Sequence, residues 1–127
     1  MRDVLLVGAG GAIGAMMRYL VGVFTSPVKD KSPLPLSTLL VNVIGCLLIG
    51  VLATLAEEKH MLSPESRNFL IVGILGAFTT FSTFSYESIS LLNNASFGHF
   101  VGNLMAQLLL GLGAVWLGMN LARLFER

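Results

Sequence analysis

Hydroxyl-bearing and aromatic side chains fill one short stretch of this 127-residue chain without a gap. Every residue from Thr79 to Ser85 is a Thr, a Ser or a Phe. Ser and Thr are mediocre helix formers that can bond nearby main-chain groups instead, and the flexible Gly76 lies just before them. The pattern predicts a helix that is interrupted here, with main-chain carbonyls able to replace the hydration shell of a small hard cation.

The same stretch also has the chemistry to contact a small anion. If the helix resumes, Phe78, Phe81 and Phe84 recur every three residues and form one ridge, beside a second ridge of Thr79, Ser82 and Ser85. A phenyl ring has a positive edge, so ring edges and hydroxyl donors together can coordinate an anion without a fixed positive charge. Conduction needs such weak, serial sites. On the residues alone, phenylalanines that merely fill the core or face lipid are an equally good interpretation.

Further polar residues lie within the other apolar runs. Asn103 and Gln107 are one helical turn apart and so share a face, while Thr38 and Asn42 lie on another segment. For a lone Asn, an interhelical hydrogen bond that only aids packing is the simpler interpretation. Arg18 either reaches the interface or makes a vestibule positive, and Glu87 is open to packing, hydrogen-bonding or proton-linked roles.

Composition and hydropathy define the elements that must position these side chains. The chain is 54% hydrophobic and only 12% charged, with a mean hydropathy of +0.80, which excludes most soluble proteins. A bilayer-spanning helix needs about 20 mostly apolar residues. Four segments qualify, at roughly 4–24, 36–56, 69–92 and 98–122. We therefore expect an all-α membrane protein of four transmembrane helices, the third broken mid-membrane, in a single domain over 1–127.

Local signals add detail to two of these spans. Ser63, Pro64 and Glu65 are typical of a helix start, with a cap, a proline in the first position and an acid in the first turn. Gly10 and Gly14 have the small-xxx-small spacing that lets two helix backbones approach closely. That interpretation is favoured over a dinucleotide-binding turn, because no alternating strands follow.

Positive charge gives only a weak orientation. With four spans, one side of the membrane receives five basic residues, namely Arg2, Lys59, Arg67, Arg123 and Arg127. The other side receives three, namely Arg18, Lys29 and Lys31. Orientation follows the Lys/Arg asymmetry near span ends. We therefore predict that the chain inserts both ways and pairs antiparallel with a copy of itself. A net charge of +1 gives no basis for a nucleic-acid partner.

Catalysis has no support in the sequence. No His, Cys and carboxylate cluster has zinc spacing, and no nucleophile has a recognisable base partner. The chain is accordingly not expected to be an enzyme.

Three motifs together resemble one family. They are Gly10-Gly11-Ala12-Ile13-Gly14 with Arg18-Tyr19, then Thr38 with Asn42 and Gly45, then the run from Gly73 through Gly76 and Thr79 to Glu87. In these residues, and in length and span number, the chain is similar to the CrcB (Fluc) fluoride channels over essentially its whole length. The third motif is the most specific of them.

The resemblance implies a dual-topology antiparallel homodimer with two fluoride pores, in which the third span breaks at its middle. It implies a structural sodium ion at the dimer centre, which is not transported, held by the backbone carbonyls of Gly76 and Thr79 from both subunits. It implies that ring edges of Phe81 and Phe84 face fluoride and that Asn42 donates a hydrogen bond to it. Passive export of cytoplasmic fluoride across the bacterial inner membrane would follow.

The remaining site residues fall into two sets on this resemblance. Thr38, Ser82 and Thr83 complete the expected pore lining. Further candidates for the pore or its vestibule are Arg18, Glu87, Asn103 and Gln107, with the span-four amides matching the family pattern least closely.

Two other classes remain as alternatives. A small dual-topology multidrug or cation exporter has a similar size but carries a carboxylate within its first span, whereas this chain has none there after Asp3. A structural subunit would use its polar residues only to join helices.

Overall fold

A computed structural model of the protein describes residues 1–29 and 32–124. Lys31 and Arg127, which enter the charge count above, lie outside the described residues. All secondary-structure elements of the described chain are helices and none is a strand, so the predicted all-α fold is confirmed. Its elements are α1 (Arg2–Lys29), α2 (Leu36–Glu57), α3 (Pro64–Arg67), a π-helix (Asn68–Leu75), α4 (Gly76–Phe78), α5 (Phe81–Asn94) and α6 (Phe97–Leu124).

Four segments in this described chain are long and apolar enough to cross a membrane, namely Arg2–Pro27, Leu36–Glu57, Pro64–Asn94 and Phe97–Leu124. The prediction of four spans is therefore confirmed, and the protein is a multi-pass membrane protein. The third span is assembled from α3, the π-helix, α4 and α5 in succession.

Helix α1 continues beyond its predicted boundary and includes Pro27. A proline has no N–H, so the carbonyl of Val23, four residues earlier, loses its helical partner. The Ser26 hydroxyl donates to that carbonyl at 2.8 Å. The hydroxyl of Thr25 likewise bonds the carbonyl of Val21 at 2.8 Å. The Ser26 hydroxyl thus satisfies the carbonyl that the proline leaves without a helical donor, and α1 passes through the residues predicted to begin a connection.

The start of the third span is as predicted. The Ser63 hydroxyl accepts a hydrogen bond from the Ser66 main-chain N–H at 3.2 Å, and Pro64 occupies the first helical position. Glu65 lies in the first turn, where a carboxylate interacts favourably with the helix dipole.

Glycines bring α1 and the π-helix into backbone contact. A Cβ atom at Gly10 would collide with the Phe69 carbonyl, and one at Gly14 would collide with the carbonyl of Ile74. Gly73 in turn lies against the backbone at Gly10. The close approach predicted from the spacing of Gly10 and Gly14 is confirmed.

Helices α2 and α6 meet in the same manner at a second crossing. A Cβ atom at Gly50 would collide with the carbonyl of Val115, and one at Gly118 with the carbonyl of Leu47. This crossing holds the two helices together closely enough for amide side chains on each to reach one another.

Ion pairs gather at one end of the bundle, where the N-terminus, the α2–α3 connection and the end of α6 meet. The pairs are Arg2–Glu65 at 3.8 Å, Arg67–Glu57 at 3.5 Å and Arg123–Glu58 at 2.6 Å. Because the Arg123 guanidinium donates two hydrogen bonds to it, the pKa of the Glu58 carboxyl is held below its ordinary value. Both ends of the described chain therefore lie at the same end of the bundle.

Candidate functional site

Two residues of the third span have extended rather than helical backbone. Helix α4 ends at Phe78, and Thr79 follows with φ −84° and ψ 160°. Thr80 has φ −153° and ψ 119°, and α5 begins immediately after it. The Thr80 hydroxyl caps α5 by accepting from the Thr83 N–H at 3.3 Å. We refer to Thr79 and Thr80 as the extended segment.

Asn42 on α2 holds the extended segment from the side. Its Oδ1 accepts from the Thr80 N–H at 2.9 Å, and its Nδ2 donates to the Thr80 carbonyl at 3.2 Å. In a continuous helix the Thr80 N–H would donate to the carbonyl of Gly76. The amide of Asn42 takes that donor instead, and so the Gly76 carbonyl loses the partner that helical continuity would give it.

Gln107 on α6 extends this cluster. The Nδ2 atom of Asn42 also donates to Gln107 Oε1 at 3.1 Å. Since an amide nitrogen has two hydrogens, both hydrogens of Asn42 are engaged by Thr80 and Gln107. The Nε2 atom of Gln107 is buried, and no acceptor among the described residues lies within hydrogen-bonding distance of it. Donation by Asn42 to an anion stays a prediction, and here its hydrogens already have partners.

A cavity of about 230 Å³ lies beside the extended segment, between α1, α2 and α5. It brings together four of the residues predicted from the sequence, Arg18, Thr38, Thr83 and Glu87, and Thr80 also lines it. The Arg18 guanidinium donates to the Thr79 carbonyl at 3.4 Å. The Arg18 side chain thus lies at a cavity whose other polar groups are hydroxyl groups and one carboxyl group, beside apolar residues such as Leu36 and Val41.

A larger groove of about 550 Å³ shares Thr83 and Glu87 with this cavity. It continues along α5 past Tyr86 and Ser90 to Asn94. The two spaces together lead from the α1–α2 side of the bundle towards the extended segment.

Phe81 and Phe84 lie at the start of α5 with ring centroids 5.6 Å apart and ring planes at 59°. Phe81 is 78% exposed on the single chain, while Phe84 is half-buried. Phe78 is only 3% exposed, because the extended segment separates it from the other two. The predicted three-membered ridge of phenylalanines is therefore wrong, and only Phe81 and Phe84 form a pair. Ser82 is exposed on the same turn.

Asn103 has a different environment from Gln107, although one helical turn separates them. It is 1% exposed and donates to the Ser88 hydroxyl at 2.9 Å. Ser88 donates in turn to the carbonyl of Phe84 at 2.7 Å. Asn103 thus joins α6 to α5 behind a pore candidate and does not line the cavity described above. Ser88 was not singled out from the sequence, although its position four residues after Phe84 is the spacing of such a bond.

Comparison with known proteins decides the family. The family model described as "CrcB-like protein, Camphor Resistance (CrcB)" matches residues 5–119. The chain belongs to the CrcB family.

Individual CrcB relatives match over nearly their full lengths. The protein named "Fluoride-specific ion channel FluC" from Agrobacterium fabrum is 41% identical to this chain over 123 residues, and the match covers 97% of this chain and 98% of the relative. The protein of that name from Rhizobium meliloti is 44% identical over 124 residues, covering 97% and 98%. That from Shewanella putrefaciens is 45% identical over 121 residues, covering 95% and 96%. These relatives carry the name of a channel and not of an enzyme.

The sodium site that the CrcB resemblance implies can be tested against the carbonyls of this chain. Sodium is a hard cation, for which main-chain oxygens are suitable ligands. The Gly76 carbonyl is relieved of helical pairing as described, and Thr79 lies next to it on a cavity of about 130 Å³. Arg18 uses one lone pair of the Thr79 carbonyl and leaves the second. The oxygens of Gly76 and Thr79 are thus chemically suited to such an ion, and the sodium site itself stays a prediction.

Proposed function

We propose that this chain is a fluoride-selective channel that lets fluoride leave the bacterial cytoplasm passively across the inner membrane. The observation that carries the proposal is the near full-length similarity to CrcB relatives named as fluoride-specific channels. The membrane spans and the polar cavity within them support it. The proposed work is conduction down an electrochemical gradient, and no bond is made or broken.

Two positive groups near Thr79 favour an anion at the inner end of the cavity, whose lining also includes the carboxyl group of Glu87. Arg18 supplies a full positive charge beside Thr79, and the first turn of the 14-residue α5 points the positive end of its dipole to the same place. The hydroxyl groups of Thr38 and Thr83 offer neutral donors, so that an anion can be held weakly and released.

The two phenylalanines complete the proposed path. The rings of Phe81 and Phe84 lie side by side with their planes tilted by 59°, and their electropositive edges are proposed to face the anion. Phe81 is largely exposed on a single chain, so a second copy has to cover it if its edge is to face a closed pore. Phe81, Phe84 and Ser82 are accordingly proposed to line pores that exist only in the dimer.

The dimer is proposed to be antiparallel, with both copies in dual topology and two pores. The near balance of positive charge between the two sides supports insertion in both directions. The third span is proposed to be broken at mid-membrane by the extended segment, which a second copy or a hydrated path has to shield from lipid.

A sodium ion is proposed to join the two broken spans at the dimer centre. The carbonyls of Gly76 and Thr79 from each copy would hold it. When bound, the ion would offset the dipoles of these carbonyls and hold the two copies in a fixed relation to each other. It is resident and does not follow the anion.

Electrogenic fluoride efflux from proteoliposomes tests the function. Vesicles containing the wild-type chain should release fluoride and build up a membrane potential that opposes further release. Chloride-loaded vesicles should release little of their anion. Phe81→Ile and Phe84→Ile should lower fluoride flux strongly while the dimer still assembles. Proton uptake driven by an organic cation, with no fluoride flux, would instead indicate an exporter, and no flux of either kind a structural subunit.

Exhaustive sodium removal tests the resident ion. Replacement by a bulky organic cation should weaken dimer order, measured by cross-linking yield, as well as fluoride flux, while tracer sodium does not cross. Unchanged cross-linking and flux without sodium would rule out a structural role for the ion.

A further inference from the structure

Gly45 on α2 lies directly against the side chain of Thr79 in the extended segment. A Cβ atom added at Gly45 would collide with the methyl group of Thr79. The next atoms that it would meet are Thr79 Cβ at 3.6 Å and Phe78 Cδ1 at 3.7 Å, which are ordinary van der Waals distances. Gly45 is buried, and the proposed pore gives it no role. One methyl group of the extended segment therefore accounts for the whole conflict with a larger residue at this position.

The Thr79 side chain has a second fixed contact. Its hydroxyl donates to the Leu75 carbonyl at 2.9 Å, and that carbonyl also accepts from the Thr79 main-chain N–H at 3.0 Å. Because the Cβ atom of Thr carries a hydroxyl, a methyl and a hydrogen in a fixed chiral order, its χ1 angle has few alternatives. The one staggered rotation that turns the hydrogen towards Gly45 also moves the hydroxyl away from Leu75. The space at Gly45 and the bond to Leu75 together select a single rotamer.

The main-chain carbonyl of Thr79 is held from a different helix. Arg18 on α1 donates to it at 3.4 Å. Thr79 is thus held by α2 through its methyl group, by its own span through its hydroxyl and N–H, and by α1 through its carbonyl. Backbone at φ −84° and ψ 160° lacks the regular hydrogen bonds that fix a helix, so these contacts define where the carbonyl lies.

We propose that Gly45 is a positioning residue for cation binding, because the space that it leaves on α2 receives the Thr79 methyl group and so fixes the Thr79 carbonyl. This inference rests on the proposed sodium site and adds to it a residue that has no side chain to offer the ion. A larger residue at position 45 forces Thr79 out of its rotamer or displaces the extended segment. Sodium then has to restore the original arrangement, and its apparent affinity falls by the cost of doing so.

A role of Gly45 in helix packing alone is distinguishable, because its neighbour differs from those of other close-packed glycines. Added Cβ atoms at Gly10 and Gly50 meet main-chain carbonyls, which no substitution removes. At Gly45 the obstacle is a side-chain methyl group, which Thr79→Ser deletes while it keeps the hydroxyl for Leu75. The effect of Gly45→Ala should therefore depend on which residue occupies position 79.

Four variants make up the test. They are Gly45→Ala, Thr79→Ser, the double variant with both, and Gly8→Ala, which adds the same methyl group to a helix where nothing lies within 4 Å. Thr79→Ser is the reference for the double variant, so that its own effect on sodium binding is subtracted. Because Ala is a better helix former than Gly, a loss in Gly45→Ala opposes the helix propensity of α2 and comes from the contact with Thr79.

Dimer cross-linking in proteoliposomes is measured against sodium concentration, with a bulky organic cation replacing sodium, and fluoride flux is recorded at each concentration. Gly45→Ala should raise the sodium concentration for half-maximal cross-linking about five- to a hundredfold, the combined cost of an off-rotamer side chain and one lost hydrogen bond. Excess sodium should restore both cross-linking and flux, which it would not do for a misfolded chain. In the Thr79→Ser background the same substitution should change this midpoint by less than about twofold. Gly8→Ala should match the wild type.

The inference is overturned if Gly45→Ala keeps the wild-type sodium midpoint, or if its shift is as large in the Thr79→Ser background as without it. Should Gly45→Ala yield no folded protein, folding of the double variant would support the methyl contact, and failure of the double variant to fold would overturn the inference. A wild-type chain whose cross-linking and flux do not respond to sodium would overturn the proposed sodium site, and this inference with it. Sodium-dependent cross-linking of the wild type without fluoride flux would overturn the proposed conduction alone, since the cross-linking midpoint still tests Gly45.

Discussion

Replacing Asn42 by Leu should let the third span close into a continuous helix. Asn42 occupies the N–H of Thr80, and without it that N–H can donate to the carbonyl of Gly76 four residues earlier. Leu is similar in size and offers no hydrogen bond. The variant should therefore lose the extended backbone and the carbonyl that it frees.

The free-energy cost of Asn42→Leu follows from the hydrogen bonds that the substitution removes. The substitution leaves the N–H and the C=O of Thr80 without side-chain partners. An unpaired buried group costs about 1–3 kcal/mol, and these groups are part-buried, so the lower limit for two groups is about 2 kcal/mol. That amount lowers the population of the native arrangement roughly thirtyfold. Fluoride flux should fall by a similar factor if conduction needs the extended segment.

Flux and hydrogen exchange together check this reasoning. Asn42→Leu should lower liposomal fluoride flux and slow amide exchange at Thr80, because its N–H then joins the helical ladder that already contains the Thr79 N–H. Asn42→Asp keeps an acceptor for the Thr80 N–H and should keep wild-type exchange there. Asn120→Leu, which removes an amide from the same bundle without touching the extended segment, is the control. Wild-type flux and exchange in Asn42→Leu would refute the account of Asn42 given above.

Three other perturbations test features of the bundle. Ser88→Ala should lower thermal stability by about 1–3 kcal/mol because it leaves the buried amide of Asn103 unpaired, and adding Asn103→Leu should recover part of the loss in a double-mutant cycle. Gly14→Ala places a methyl group against a main-chain carbonyl and should lower the yield of folded protein, whereas Gly8→Ala, with nothing within 4 Å, should not. The depressed pKa of Glu58 means that its ion pair stabilises the fold above the ordinary carboxyl pKa and is lost as pH falls through the folded-state value. The melting temperatures of wild type and Glu58→Gln should therefore converge on acidification.

The sequence predicts well those features of the fold that depend only on residues close together in the chain. Apolar runs of spanning length, the cap at Ser63 and the spacing of Gly10 and Gly14 each depend on residues within one or two turns of one another. The hydroxyl-rich run after Gly76 contains the two residues with extended backbone, Thr79 and Thr80, while a break of the span at mid-membrane stays a prediction. No knowledge of neighbouring helices is needed for any of these.

The partners of the polar side chains could not be predicted in the same way. Asn103 and Gln107 share a face of α6, yet one bonds Ser88 on α5 and the other bonds Asn42 on α2. The separation of Phe78 from Phe81 was missed for a related reason, since the ridge assumed a helix that the extended segment interrupts. Which helix a side chain meets depends on crossing geometry, and the spacing of residues along one helix does not contain it.

The two ends of the bundle differ in a way that matters if copies lie head to tail. Among the described residues, three ion pairs link the elements at one end, while the cavity containing Arg18 and Glu87 opens towards the other. In the proposed antiparallel dimer, each face of the membrane would then have the ion-paired end of one copy and the cavity end of the other, whichever way an individual molecule was inserted. Such a particle looks the same from inside and outside the cell, so the insertion machinery has no wrong orientation to correct, provided that it produces both in comparable numbers.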